Sequence, residues 1–125
     1  MWRYYNPNPE HNDTGDCVIR ALSLAFGTDW ETTFLNVAMK GYEMHKMPSN
    51  NAVWDAYLRH NGFKRYILPN ECPDCYRIKD FCMDNPTGVY ILATGSHVVT
   101  VIDGNYYDTW DSGNEIAIYF YKKEN

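Results

Sequence analysis

The chain has 125 residues and a mass of 14.6 kDa, the size of one domain (1–125) that buries about two-thirds of its unfolded surface. A 16% aromatic content, with eleven Tyr and four Trp, supplies enough burial to exclude a disordered chain, and no apolar run approaches the ~20 residues of a membrane span. The net charge of −5 argues against nucleic acid as a partner, because both duplex and single-strand binding need a basic surface.

Residues 1–15 are rich in Asn, Pro, Asp and Gly, without periodicity, and read as an ordered-loop lead-in. They contain no apolar signal-peptide segment, which predicts a cytoplasmic, reducing compartment with Cys17, Cys72, Cys75 and Cys82 as thiols. From Asp16 the apolar period becomes helical, with Val18, Ala21, Leu22 and Ala25 on one face and Gly27 as the stop. Thr28-Asp29-Trp30-Glu31 predicts a capping box that opens a second helix, running to about Gly41 and burying Trp30, Phe34, Leu35 and Ala38. Ser49 is the predicted cap of a third helix, which carries Val53, Trp54, Tyr57 and Leu58 and closes at Gly62. Phe63 to Leu68 fits a short strand, and Pro73 or Asp74 opens a fourth helix with Ile78, Phe81 and Cys82 inside.

Beyond Asn85-Pro86-Thr87-Gly88 the period changes to two. Val89–Thr94, His97–Ile102, Asn105–Trp110 and Glu115–Tyr121 read as strands, with Asp103-Gly104 as a two-residue hairpin turn. The sum is an α+β fold, helical over about 16–84 and an antiparallel sheet over about 88–121.

Chemistry concentrates at Cys17, in Thr14-Gly15-Asp16-Cys17, where loop turns into helix. A thiol in the first helical turn meets the positive end of the macrodipole and unpaired N–H groups, and both favour the nucleophilic thiolate. His97, in Gly95-Ser96-His97-Val98-Val99, starts a strand and is the candidate base; His11, His45 and His60 have no comparable setting. With Asp103-Gly104 at the tip, Ile102 pairs with Asn105, His97 faces Trp110 and Val99 faces Asp108. Parity therefore makes Asp108 the neighbour that orients His97 and Trp110 the shield, while Asp111 points away.

Cys72-Pro73-Asp74-Cys75 followed by Cys82 raises a zinc reading. The absence of a second such pair favours Cys75, Ile78 and Cys82 as core positions of one helix and predicts no metal and no cofactor. Asp13, Asp16, Asp29 and Glu31 read as caps and dipole partners of the first two helices.

The strings Gly15-Asp16-Cys17-Val18-Ile19-Arg20-Ala21-Leu22, Ser96-His97-Val98-Val99 and Tyr107-Asp108, in that order, resemble papain-like cysteine peptidases. They are most similar to the bacteriocin-processing peptidase-like branch and to small cysteine-peptidase-like proteins of bacteriophages that share the Asn-Pro-Asn-Pro lead-in. The resemblance implies a papain-like domain in a bacterial or phage-infected cell, with a Cys17–His97–Asp108 triad that cleaves an amide bond of a peptide or protein substrate. It also implies an amide donor for the oxyanion. The family's Gln is missing, since position 11 is His and the chain contains no Gln, which leaves Asn12, Asn8 or Asn6 as substitutes. A non-catalytic binding protein on the same shell, such as a phage factor docking on a host protein, is the alternative.

Overall fold

The computed structural model describes residues 1–69 and 71–124. Four helices, α1 (Cys17–Phe26), α2 (Trp30–Met44), α3 (Asn51–His60) and α4 (Ile78–Asp84), accompany six strands, β1 (Trp2–Tyr4), β2 (Phe63–Ile67), β3 (Val89–Ala93), β4 (Val98–Ile102), β5 (Asn105–Asp108) and β6 (Tyr119–Lys123). The strands form one sheet in the order β1-β5-β4-β3-β6-β2. This is an α+β arrangement. Among the described residues, no helix is long and apolar enough to cross a membrane.

Two cores lie on the sheet. Ile19 and Leu22 of α1, Val37 of α2 and Val53, Trp54 and Leu58 of α3 pack with Ile91, Ala93, Val98 and Tyr121. Ile78, Phe81 and Cys82 of α4 pack with Leu92, Val99, Val101 and Tyr106. The alternation along β4, with Val98 in the first cluster and Val99 in the second, is the period-two pattern of a sheet covered on both faces.

The β4–β5 hairpin has the expected register: Ile102 pairs with Asn105, Val101 with Tyr106 and Thr100 with Tyr107. Asp103 (φ 50°) and Gly104 (φ 78°) both take the left-handed conformation that a tight hairpin turn demands. The sheet, however, reaches beyond residues 88–121 and is not wholly antiparallel. The lead-in contains β1, which runs parallel to β5, and β2 adds the opposite edge from within the helical half. Strand β1 has three residues, all exposed, so it carries no alternation for a sequence pattern to reveal.

The helix starts also shift. Asp29, not Thr28, caps α2 by accepting the Thr32 N–H at 2.7 Å, because a carboxylate outcompetes the neighbouring hydroxyl; Thr28 instead bonds Thr33 side chain to side chain. The buried stripe of α2 is Thr33, Val37 and Gly41, while Phe34 and Leu35 stand 41% and 65% exposed. Gly41 leaves room for the chain to fold back on the helix just after its end, where the Lys46 N–H donates to the Gly41 carbonyl. A Cβ at Gly41 would lie 2.7 Å from the Lys46 carbonyl oxygen. Asn50 replaces Ser49 as the α3 cap and accepts from Ala52 at 2.9 Å.

Helix α4 begins at Ile78 rather than at Pro73 or Asp74, because residues 71–77 are otherwise engaged. Glu71 bridges Asp74, Arg77 bridges Ile116, and Cys72 and Cys75, with Cα atoms 4.5 Å apart, form a disulfide. The expectation of four thiols is thereby corrected, and Cys75 lies outside the helix that buries Ile78 and Cys82. The first residues of the expected last strand are also drawn to α4 and the segment before it: the Glu115 carbonyl accepts from Ile78, Ile116 bridges Arg77 and the Ala117 N–H donates to the Tyr76 carbonyl.

Helix α1 is tied to the sheet by buried polar bonds as well as by its apolar face, and in one of them the Thr100 hydroxyl donates to the Ala21 carbonyl at 2.5 Å. Thr100→Val keeps the shape and removes this bond. We expect a loss of about 1 kcal/mol in urea unfolding with an unchanged slope. An unchanged midpoint would show that this bond adds nothing to the seating of α1.

Candidate active site

The site gathers where three chain segments meet. Cys17 is the first residue of α1, His97 immediately precedes β4, and Asp108 is the last residue of β5. The hairpin register places His97 and Asp108 together at the end opposite the Asp103-Gly104 turn. The His97 Nε2 lies 2.6 Å from Asp108 Oδ2, and the Cys17 thiol lies beside the imidazole, near enough for each to shift the other's ionisation. With Nε2 committed to the carboxylate, Nδ1 is the nitrogen left for sulfur. The Val98 N–H also favours the ionised sulfur.

Asp108 is 1% exposed and fully partnered. Its Oδ2 also accepts from the Ser112 hydroxyl at 2.6 Å, and its Oδ1 accepts from the Thr109 N–H at 2.9 Å and from Arg20 Nη2 at 3.4 Å. Its backbone is held too: the Asp108 carbonyl accepts from the Tyr5 N–H (3.0 Å) and from Trp2 Nε1 (3.1 Å), so β1 pins the third member of the array. Asp111, as parity requires, is turned elsewhere and accepts from the Tyr106 hydroxyl. The Trp110 ring lies 5.2 Å from the imidazole, centre to centre, as the cover expected over His97, though itself 44% exposed.

These contacts set the charges. Burial pushes the Cys17 thiol up, but the bonds from His97 and the Val98 N–H, with the charges of His97 and Arg20, outweigh it and leave Cys17 below the ordinary thiol value. Burial pushes His97 down, yet Asp108 and Cys17 together raise it to about 9. Burial likewise opposes ionisation of Asp108, and the bonds from His97, Ser112 and Thr109 reverse this and keep its carboxyl below the usual range. The array therefore favours a thiolate–imidazolium pair beside a carboxylate.

Helix α1 starts without a side-chain cap. Asp16 occupies the cap position, but its carboxylate is drawn to the Arg20 guanidinium and to Trp30 Nε1 (2.7 Å), and it makes no bond to the first-turn N–H groups. Its expected role as a cap is thus overturned: stronger partners compete for the same oxygens. The first-turn amides stay available beside the sulfur. Two hollows flank Cys17 and His97. One, of about 540 Å³, is walled by Asn6, Asn12, Asp13, Arg20 and Trp110; the other, of about 200 Å³, by Trp54, Thr94, Gly95 and Tyr119.

Of the three amide candidates, Asn6 and Asn12 line the larger hollow. Asn8 does not; it is buried, and its Oδ1 accepts the Glu10 N–H at 2.9 Å. Sequence reasoning passed over Arg20, Ser112 and Trp30. A single arginine four residues after Asp16, the one charged residue of a mostly apolar helix, was the available signal. No group of three or more His, Cys, Asp and Glu side chains that could hold a metal ion occurs among the described residues. No family model, curated protein or solved structure matches the chain.

The charge pattern predicts selective labelling. Cys17 is expected to react with iodoacetamide well below the pH at which an ordinary thiol does, whereas burial raises Cys82 to about 11 and keeps it inert. The imidazolium stabilises the fold fully below its ordinary value of 6.5, and that contribution fades as pH rises through about 9. Mass spectrometry of the labelled chain across this range reads the first; melting temperature against pH reads the second. Equal labelling of Cys17 and a model thiol would refute the ion pair.

Proposed function

We propose that the protein is a cysteine hydrolase of the papain-like kind, acting on an amide bond of a peptide or protein. The observation that carries this reading is the juxtaposition of Cys17, His97 and Asp108, with His97 bonded to Asp108 and coupled to the sulfur, at an uncapped helix start between two hollows. Nearly eighty residues separate Cys17 from His97 in sequence, so local packing does not bring them together by default.

The chemistry follows from the geometry. The Cys17 sulfur attacks the amide carbon, with the thiol proton already on His97, and a tetrahedral oxyanion forms. The Cys17 N–H and the amide of Asn6 or Asn12 are the donors to that oxygen. His97 gives its proton to the departing amine as the C–N bond breaks, leaving a thioester on Cys17. Water then adds, losing a proton to His97, and the C–S bond breaks to release a carboxylic acid and the free thiol. Asp108 remains ionised throughout and keeps the ring aligned. The resemblance alone carries the bacterial or phage-infected setting.

Digestion of a complex peptide mixture, read as new termini by mass spectrometry, tests the reading. Cys17→Ala is expected to abolish cleavage with the fold intact, and Asp108→Asn to lower the rate about 10³–10⁴-fold. Cleavage by Cys17→Ala at the wild-type rate would end the assignment; no cleavage by the wild type, with an unreactive Cys17, would favour the binding protein. One of Asn6→Ala and Asn12→Ala should cost about 10²–10³-fold, the loss of a single oxyanion donor. Asn8→Ala, which removes a loop contact, should leave the rate of folded protein unchanged.

A further inference from the structure

Beyond the triad lies a second, buried layer of charge. Arg20 is 8% exposed and Asp16 8% exposed, on a helix whose neighbouring positions Ile19, Ala21 and Leu22 are core. Two charges taken out of water in this way are costly unless their partners are well placed, and their retention among apolar side chains calls for a physical reason. The partners are well placed. Arg20 Nη1 bonds Asp16 Oδ1, Arg20 Nη2 reaches Asp108 Oδ1, and the remaining Asp16 oxygen accepts from Trp30 Nε1 on α2.

We infer that Arg20 is a positioning residue for the proposed triad, a guanidinium anchored by Asp16 that holds one oxygen of Asp108 so that the other is presented to His97. The inference rests on the cysteine-hydrolase reading. Its basis is the planar fork, which spans two carboxylates in a fixed geometry, as an ammonium group cannot. Since Asp16 and Arg20 are one helical turn apart and Cys17 lies between them, the same turn that carries the sulfur also carries the clamp on Asp108. The nucleophile and the orienting carboxylate are thus fixed to one rigid element, and His97 is held between them.

The ionisable groups around His97 can be named by element: Asp16, Cys17 and Arg20 at the start of α1, Asp108 at the end of β5, and Asp13 in the wall of the larger hollow. Along the array the signs alternate from sulfur to Asp16. Arg20 is close enough to favour the Cys17 thiolate directly and acts on His97 through Asp108.

The test is the pH dependence of Cys17 alkylation by iodoacetamide in the 125-residue chain, from about pH 5 to 10, with circular dichroism melts to confirm folding. Arg20→Gln is expected to move the onset of reactivity up by about one to two pH units, a 10–100-fold lower rate at a fixed low pH. Arg20→Lys should recover part of the shift, because it restores charge without the fork. Asp16→Asn should shift the onset in the same direction, and the double variant should be no worse than Arg20→Gln alone, because Asp16 acts through Arg20. A folded Arg20→Gln protein with the wild-type profile overturns the inference, as do Asp16 and Arg20 effects that simply add. Should Arg20→Gln not fold, the same comparison of Arg20→Lys with Asp16→Asn decides it: a wild-type profile in both refutes the clamp. An ordinary thiol profile in the wild type would instead remove the hydrolase reading itself.

Discussion

The carboxylate of Asp108 is the constraint on which the rest of the site depends. Excluded from water, it is tolerable only where nearly every lone pair is occupied, and it has four donors: His97, Ser112, Thr109 and Arg20. Those donors come from the approach to β4, the turn after β5 and helix α1, so satisfying one group draws three parts of the chain to a point. Strand β1 adds a fourth by bonding the Asp108 carbonyl. Removing any single donor would leave a buried charge with an unpaired oxygen lone pair.

Helix α1 shows how this demand is met at the expense of local rules. An Asp at a helix start ordinarily caps it, and here the side chain that should cap is committed to Arg20 and Trp30. The helix is held instead by tertiary means, through Leu22, Ile19 and the Thr100–Ala21 bond. The uncapped N–H groups are then free for developing negative charge beside Cys17. A helix end that is poor by propensity is useful by chemistry.

Much of this was legible in the sequence because it rests on local signals. Asp103-Gly104 defined the hairpin tip, and from the tip simple parity selected Asp108 over Asp111. Cys17 stood out through its place at the change from loop to helix. What stayed hidden depends on partners remote in the chain. Strand β1 is made by its pairing with β5, not by its three exposed residues. Phe34 and Leu35 looked like core by hydrophobicity, whereas α2 turns its smaller Thr33, Val37 and Gly41 inward. The choice between Asn6, Asn8 and Asn12 needed the path of the lead-in, which periodicity does not encode.

The alternation of sign also explains why a thiolate is affordable here. From Cys17 through His97, Asp108 and Arg20 to Asp16, each ionised group has a neighbour of opposite charge, and the last carboxylate is finished by the neutral Trp30 N–H. Transfer of the proton from sulfur to imidazole therefore leaves the net charge of the cluster unchanged. It redistributes charge inside a frame whose outer members, Asp108, Arg20 and Asp16, keep fixed partners. Such a frame stabilises the separated pair without waiting for solvent to reorganise, which is where a buried polar network differs from the same groups in water.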